Sequence, residues 1–147
     1  MKIRDVMSEE PTCVTPETSL EACARLMADC DCGALPVVGD LAARFPIGLI
    51  TDRDIVTRML AAGKNPLVHT ARDCMTMPAI TITDDTNLED VIDLLEINQI
   101  RRVIVVDRDG RTCGIIAQAD IASHTSKRKA GELVREVSQP KHARFSH

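Results

Sequence analysis

The sequence predicts an α/β (α+β) fold made of two β-α-β-β-α units packed about a pseudo-two-fold axis. Three observations predict it. The chain repeats itself in order along most of its length, each copy carries a helix with one apolar face, and each carries two short apolar runs of strand length. "RDVM" at 4–7 returns as "RDCM" at 72–75, and "VTPETSLE" at 14–21 returns as "ITDDTNLE" at 82–89, both at an offset of 68. "LPVV" at 35–38 matches "VIVV" at 103–106, and "GLITDRDI" at 48–55 matches "GIIAQADI" at 114–121. The last offset is 66, because "GDLAARFPI" is two residues longer than "DRDGRTC".

Each copy opens with a short predicted strand, "TCVT" or "AITIT". A T-x-x-E pattern, Thr18 to Glu21 and Thr86 to Glu89, then reads as a helix capping box. Leu20, Cys23, Ala24 and Met27 fall at i, i+3, i+4 and i+7, as do Leu88, Val91, Ile92 and Leu95, which gives one apolar face per helix. Two continuous apolar strands follow, "ALPVV" and "IGLIT" in the first copy, "RVIVV" and "CGIIA" in the second. The second strand of each pair feeds directly into another helix, and "AAGKNP" at 61–66 ends the first copy with glycine and proline. The expected organisation is a first repeat at 1–66, a second at 67–126 and a basic helix or tail at 127–147. A unit of about 65 residues buries too little surface to be secure alone, so the two should share one body, with clefts at the seam.

Composition narrows the function. At 147 residues and 44% hydrophobic the chain can build a real core, and 1% aromatic argues against stacking platforms for single-stranded nucleic acid. The net charge is -4, split between +4 over 127–147 and -8 over the rest, so the tail is the one segment suited to an acidic partner. "MKIRDVMSEEPT" lacks the apolar h-region of a signal peptide and no apolar run reaches membrane-spanning length. A cytoplasmic protein with reduced thiols, no membrane partner and no nucleic-acid partner is expected. Cys30 and Cys32, with Cys23 upstream, form the only cysteine cluster, and without a paired CxxC or a neighbouring histidine they predict no metal site.

The paired "DVM" and "DCM" openings, the "ALPVV" strands and the "GLITDRDI" ending together resemble a tandem CBS-domain protein, or Bateman module, over about residues 2–125. With no catalytic, channel or transporter domain in the 147 residues, the resemblance is to the stand-alone bacterial type. It implies a non-enzymatic homodimer that takes an adenosine-containing ligand (AMP, ADP or ATP foremost) as regulator, requires no cofactor and signals to a protein partner whose identity is open.

The residues themselves offer chemistry to such a ligand. A helix starting at about Thr51 presents backbone N–H groups to phosphate, the Thr51 hydroxyl adds a hydrogen bond, and Asp54 can accept from ribose hydroxyls. Gly48 lets a base approach the strand. Thr51 with Asp54 is equally a helix-start pair, with an N-cap and an acid in the first turn. Asp120 persists although its partner position has become Ala117, which favours a ligand. The resemblance implies two unequal clefts: Thr51 and Asp54 with Thr83 and Cys113, and Asp120 with Thr15 and Ile47. Arg101 and Arg102 would supply phosphate contacts to the Asp120 cleft, which lacks the threonine. The alternative is a ligand-free interaction module that works through its dimer surface and tail.

Overall fold

The computed structural model describes residues 2–132. The tail expected at 127–147 therefore falls outside the described residues beyond Glu132. In chain order the elements are β1 (Ser8–Glu9), α1 (Leu20–Cys30), β2 (Ala34–Val38), β3 (Pro46–Thr51), α2 (Asp52–Ile55), β4 (Thr81–Thr83), α3 (Leu88–Asn98), β5 (Arg102–Val106), β6 (Thr112–Ala117) and α4 (Gln118–Glu132). Helix α2 runs on into a π-helical turn, Val56–Leu60, and three short 3-10 turns lie at Ile3–Asp5, Pro66–Val68 and Ala71–Asp73.

The apolar runs pair as the repeat predicts. β2 and β3 form an antiparallel ladder from Ala34↔Thr51 to Val38↔Pro46, and β5 and β6 repeat it from Arg102↔Ala117 to Val106↔Thr112. β4 lies parallel to β5, with Thr83 opposite Val106. The matching "TCVT" segment is not a strand: only Val14 pairs, as a parallel bridge to Val37. Pro11 and Pro16 bracket it, and the Thr15 N–H donates to Thr18 Oγ1 (3.1 Å) instead of extending the ladder.

The helix caps sit one residue later than the T-x-x-E pattern suggests. Ser19 caps α1 and accepts from the Ala22 N–H, and Asn87 is the N-cap of α3. Thr18 and Thr86 instead turn back to Thr15 and Thr83. Leu20, Cys23 and Met27 of α1 are buried, as are Leu88, Val91 and Leu95 of α3, whereas Ala24 faces solvent. Both helices end on a left-handed residue, Asp31 and Gln99, at the same place in the repeat.

The packing crosses the repeat boundary. β1 pairs with β6, Ser8 opposite Ile115, and Thr76 bridges to Leu49 of β3. Each repeat's opening segment thus completes the other repeat's sheet. Ile3 accordingly packs with Leu88, Val91 and Leu95, while Ala71, Cys74 and Met75 pack with Val14, Leu20 and Ile50. Two cores result, and neither is complete without chain from the other copy.

Candidate functional site

The exchange creates a seam, and a cavity of about 730 Å³ opens along it. Three pieces of chain build it. The β3–α2 junction of the first repeat supplies Thr51, Asp52, Arg53 and Asp54; the approach to β4 supplies Thr76, Pro78, Ala79 and Ile80; the start of β5 supplies Gln99 to Arg102 and Ile104. Leu49, Val56, Ile80, Ile100 and Ile104 make its apolar walls.

Thr51 and Asp54 are locked to each other. The Asp54 N–H donates to Thr51 Oγ1 (3.0 Å) and the Thr51 N–H donates to Asp54 Oδ2 (3.1 Å), a reciprocal capping box. This leaves the Thr51 hydroxyl proton free to donate. Asp54 Oδ1 stands 3.7 Å from Arg58 Nε and keeps accepting capacity. The second repeat retains half of the arrangement: Ala117 has no hydroxyl, yet its N–H donates to Asp120 Oδ2 (3.0 Å). Asp120 therefore keeps one half of the box, its carboxylate taking the Ala117 N–H, while position 117 offers no hydroxyl to the Asp120 N–H.

The expected backbone cradle for phosphate is already filled. The Asp52 N–H donates to Gly33 O (2.9 Å), the Arg53 N–H to Asp52 Oδ1 (2.7 Å) and the Asp54 N–H to Thr51 Oγ1. Capacity for an anion rests on Arg53, Arg101 and Arg102. Among the described residues neither Arg101 nor Arg102 is held in an ion pair. Arg102 reaches across the pseudo-axis: a Cβ built on Gly33 would lie 2.9 Å from Arg102 Nη2 and 2.8 Å from Asp52 Oδ2.

Arg101 and Arg102 thus share a cavity with Thr51 and Asp54, while Arg102 also stands opposite Ala117 in the ladder and Arg101 O accepts from the Gln118 N–H beside the Asp120 helix mouth. Thr83 and Cys113 do not line this cavity. Thr83 pairs with Val106, four residues along β5 from Arg102, which is roughly 13 Å at strand rise. Its hydroxyl donates to Asp85 Oδ1 (2.7 Å), and burial pushes the Cys113 thiol pKa up. Thr15 and Ile47 are their counterparts, at the Val38 end of β2, whereas Asp120 follows Ala117 at the Arg102 end of β5. The strand direction separates these residues from the helix mouths. Thr76, Pro78, Ala79 and Ile80 escaped the sequence reading, since the linker after "DCM" carries no polar signature. Its only signal was position, between the repeated opening and the first strand.

A model of the CBS domain matches residues 3–61 and again residues 71–127. The chain belongs to the CBS domain family. It is 34% identical to hypoxic response protein 1 of Mycobacterium tuberculosis over 137 residues, 93% of this chain and 94% of that one. A crystal structure of that CBS relative with two coordinated zinc ions superposes at TM-score 0.72 with 36% identity, covering 84% of this chain and 98% of the other. The CBS domain pair of protein MJ0100, in complex with 5'-methylthioadenosine and S-adenosyl-L-methionine, matches at TM-score 0.78 and 27% identity over 88% of this chain and 98% of that one. CBSX2 in complex with AMP matches at 0.71 and 26% over 87% and 98%. Among the described residues of this CBS pair, no three His, Cys, Asp or Glu side chains are grouped to hold a metal ion, and no helix is long and apolar enough to cross a membrane.

Proposed function

We propose that this CBS pair is a regulatory module that binds an adenosine-containing ligand in the Thr51–Arg102 cavity and passes its occupancy to a protein partner. One observation carries the reading: Thr51 and Asp54 share a single cavity with Arg101 and Arg102. Its volume suits a nucleoside phosphate, and its walls divide as such a ligand does. Isoleucine and valine sides accept a base, Asp54 accepts from ribose hydroxyls, and the arginines face the phosphate end. The adenosine complexes of MJ0100 and CBSX2 support the same ligand class. Binding rather than chemistry is proposed: among the described residues the cavity's titratable side chains are Asp52, Asp54 and three arginines, and Asp54 is already engaged by the Thr51 N–H. The π-helical turn Val56–Leu60 leads directly away from the site and is a suitable relay.

We also propose a homodimer. Leu60, on the turn after α2, is 57% exposed and Ile97, near the end of α3, is 80% exposed, apolar side chains for a second copy to cover. Sedimentation should give twice the chain mass, and Leu60→Lys should shift it toward the monomer.

A second reading has its own support. The Thr51–Asp54 capping box explains both residues without any ligand, so the pair would act as an interaction module with an empty cavity. A thermal-shift panel of AMP, ADP, ATP, NAD and S-adenosylmethionine separates the two. Stabilisation by at least one compound, reduced in Asp54→Ala measured against its own baseline, supports the sensor. No shift at millimolar ligand, with partner capture indifferent to nucleotide, supports the interaction module.

A further inference from the structure

Away from the cavity, a pair of thiols stands at the end of α1. Helix α1 stops at Cys30, and its C-cap Asp31 is left-handed, with φ 53° and ψ 49°. The Asp31 and Cys32 N–H groups close the helix on Ala28 O (3.3 Å) and Met27 O (3.0 Å). Cys30 and Cys32 thus flank one residue of helical curvature, which sets their Cα atoms roughly 5.4 Å apart. That spacing lies within the range a disulfide spans. Both thiols are exposed, Cys23 and Cys74 are buried, and Cys13 and Cys113 are partly covered. Cys30 Sγ lies 3.4 Å from Thr12 Oγ1.

The surroundings treat the thiols unequally. Partial burial pushes the Cys32 pKa up and the neighbouring Cys30 thiol adds to this, while the Ala34 backbone and the Arg102 guanidinium pull the other way. Cys23 is pushed up to about 11 by burial, with Cys74 adding to it, so it is held as an inert thiol.

We propose that Cys30 and Cys32 form a two-thiol site, reversibly oxidised to an intramolecular disulfide by a low-molecular-weight disulfide. One thiolate attacks a sulfur of the oxidant, breaks its S–S bond and releases one small thiol, leaving a mixed disulfide on the protein. The second thiolate attacks the protein-side sulfur and releases the other small thiol. The protein gives up two electrons and two protons, and the oxidant is reduced to two thiols. Cys32 occupies, 68 residues earlier, the place at which Ile100 walls the cavity, and it precedes Gly33, over which Arg102 lies. The site does not depend on the nucleotide reading.

The test treats the full chain with glutathione disulfide, then maps alkylated and bridged peptides by mass spectrometry. The expected result is loss of two alkylatable thiols per chain, a Cys30–Cys32 link, no retained glutathione and full reversal by dithiothreitol. Cys30→Ser should instead trap one glutathione on Cys32, and Cys32→Ser one on Cys30. Two thiols that stay alkylatable, glutathione retained on the wild-type pair, or a link between two chains would overturn the proposal.

Discussion

At the residue scale, two side chains that read as ligand contacts also hold the backbone. Thr51→Ala removes the acceptor for the Asp54 N–H and should cost about 1 kcal/mol, a fall in Tm of about 2–4 °C by calorimetry. The same substitution has no counterpart at Ala117, where the Asp120 carboxylate makes the one remaining half of the box. Asp120→Ala should therefore destabilise the second repeat by a similar amount, with or without nucleotide. Acid sensitivity is expected from Asp73 and Asp85. Asp73 is held below the usual carboxylate range first by the Thr70 N–H and next by His69, and Asp85 first by the Thr83 hydroxyl. A depressed folded pKa means stability present above the unfolded value near 3.9 and lost as pH falls through the folded pKa. Tm should thus drop as pH is lowered below about 4, and Asp73→Asn should flatten part of that drop.

At the scale of elements, two glycines set different limits. A Cβ on Gly48 would lie 2.7 Å from the carbonyl oxygen of Thr76, backbone that is itself paired to Leu49. Gly48→Ala should cost about 1–3 kcal/mol in urea unfolding. A Cβ on Gly33 meets only the ends of Asp52 and Arg102, which can swing aside. Gly33→Ala should fold near wild-type stability while displacing Arg102 from the cavity. Most elements were legible from apolar periodicity, because β2 and β5 bury almost every residue, α1 buries Leu20, Cys23 and Met27, and α3 buries Leu88, Val91 and Leu95, while β3 and β6 bury alternate residues only. The caps were misplaced because Thr18 and Ser19 are equally competent acceptors, and the neighbouring turn at Thr15 decides between them. The lead strand of the first copy failed for a similar reason: its alternation is sound, but the flanking prolines leave one ladder pair.

At the scale of the molecule, the repeat was plain in the sequence and the exchange was not. "DVM" and "DCM" read the same whether each segment joins its own repeat or the other, and only tertiary pairing puts Ser8 on β6 and Thr76 on β3. A consequence is that Ile3, three residues from the start and fully buried, belongs to the second core. Ile3→Ala should cost about 2–5 kcal/mol, far more than a terminal position suggests, in equilibrium urea unfolding. The exchange also explains how the arginines come to share a cavity with the first repeat's helix mouth. Sequence alignment places Arg101 and Arg102 in the second copy, while the seam turns them toward Thr51 and Asp54 of the first. The central claim is that this shared cavity takes an adenosine nucleotide. Isothermal titration of AMP into the wild-type chain and into Asp54→Ala and Arg102→Ala tests it most directly. Saturable binding is expected, weakened about tenfold or more, about 1.4 kcal/mol, by either substitution. Affinity unchanged in both variants, or no binding of AMP to the wild-type chain, would contradict it.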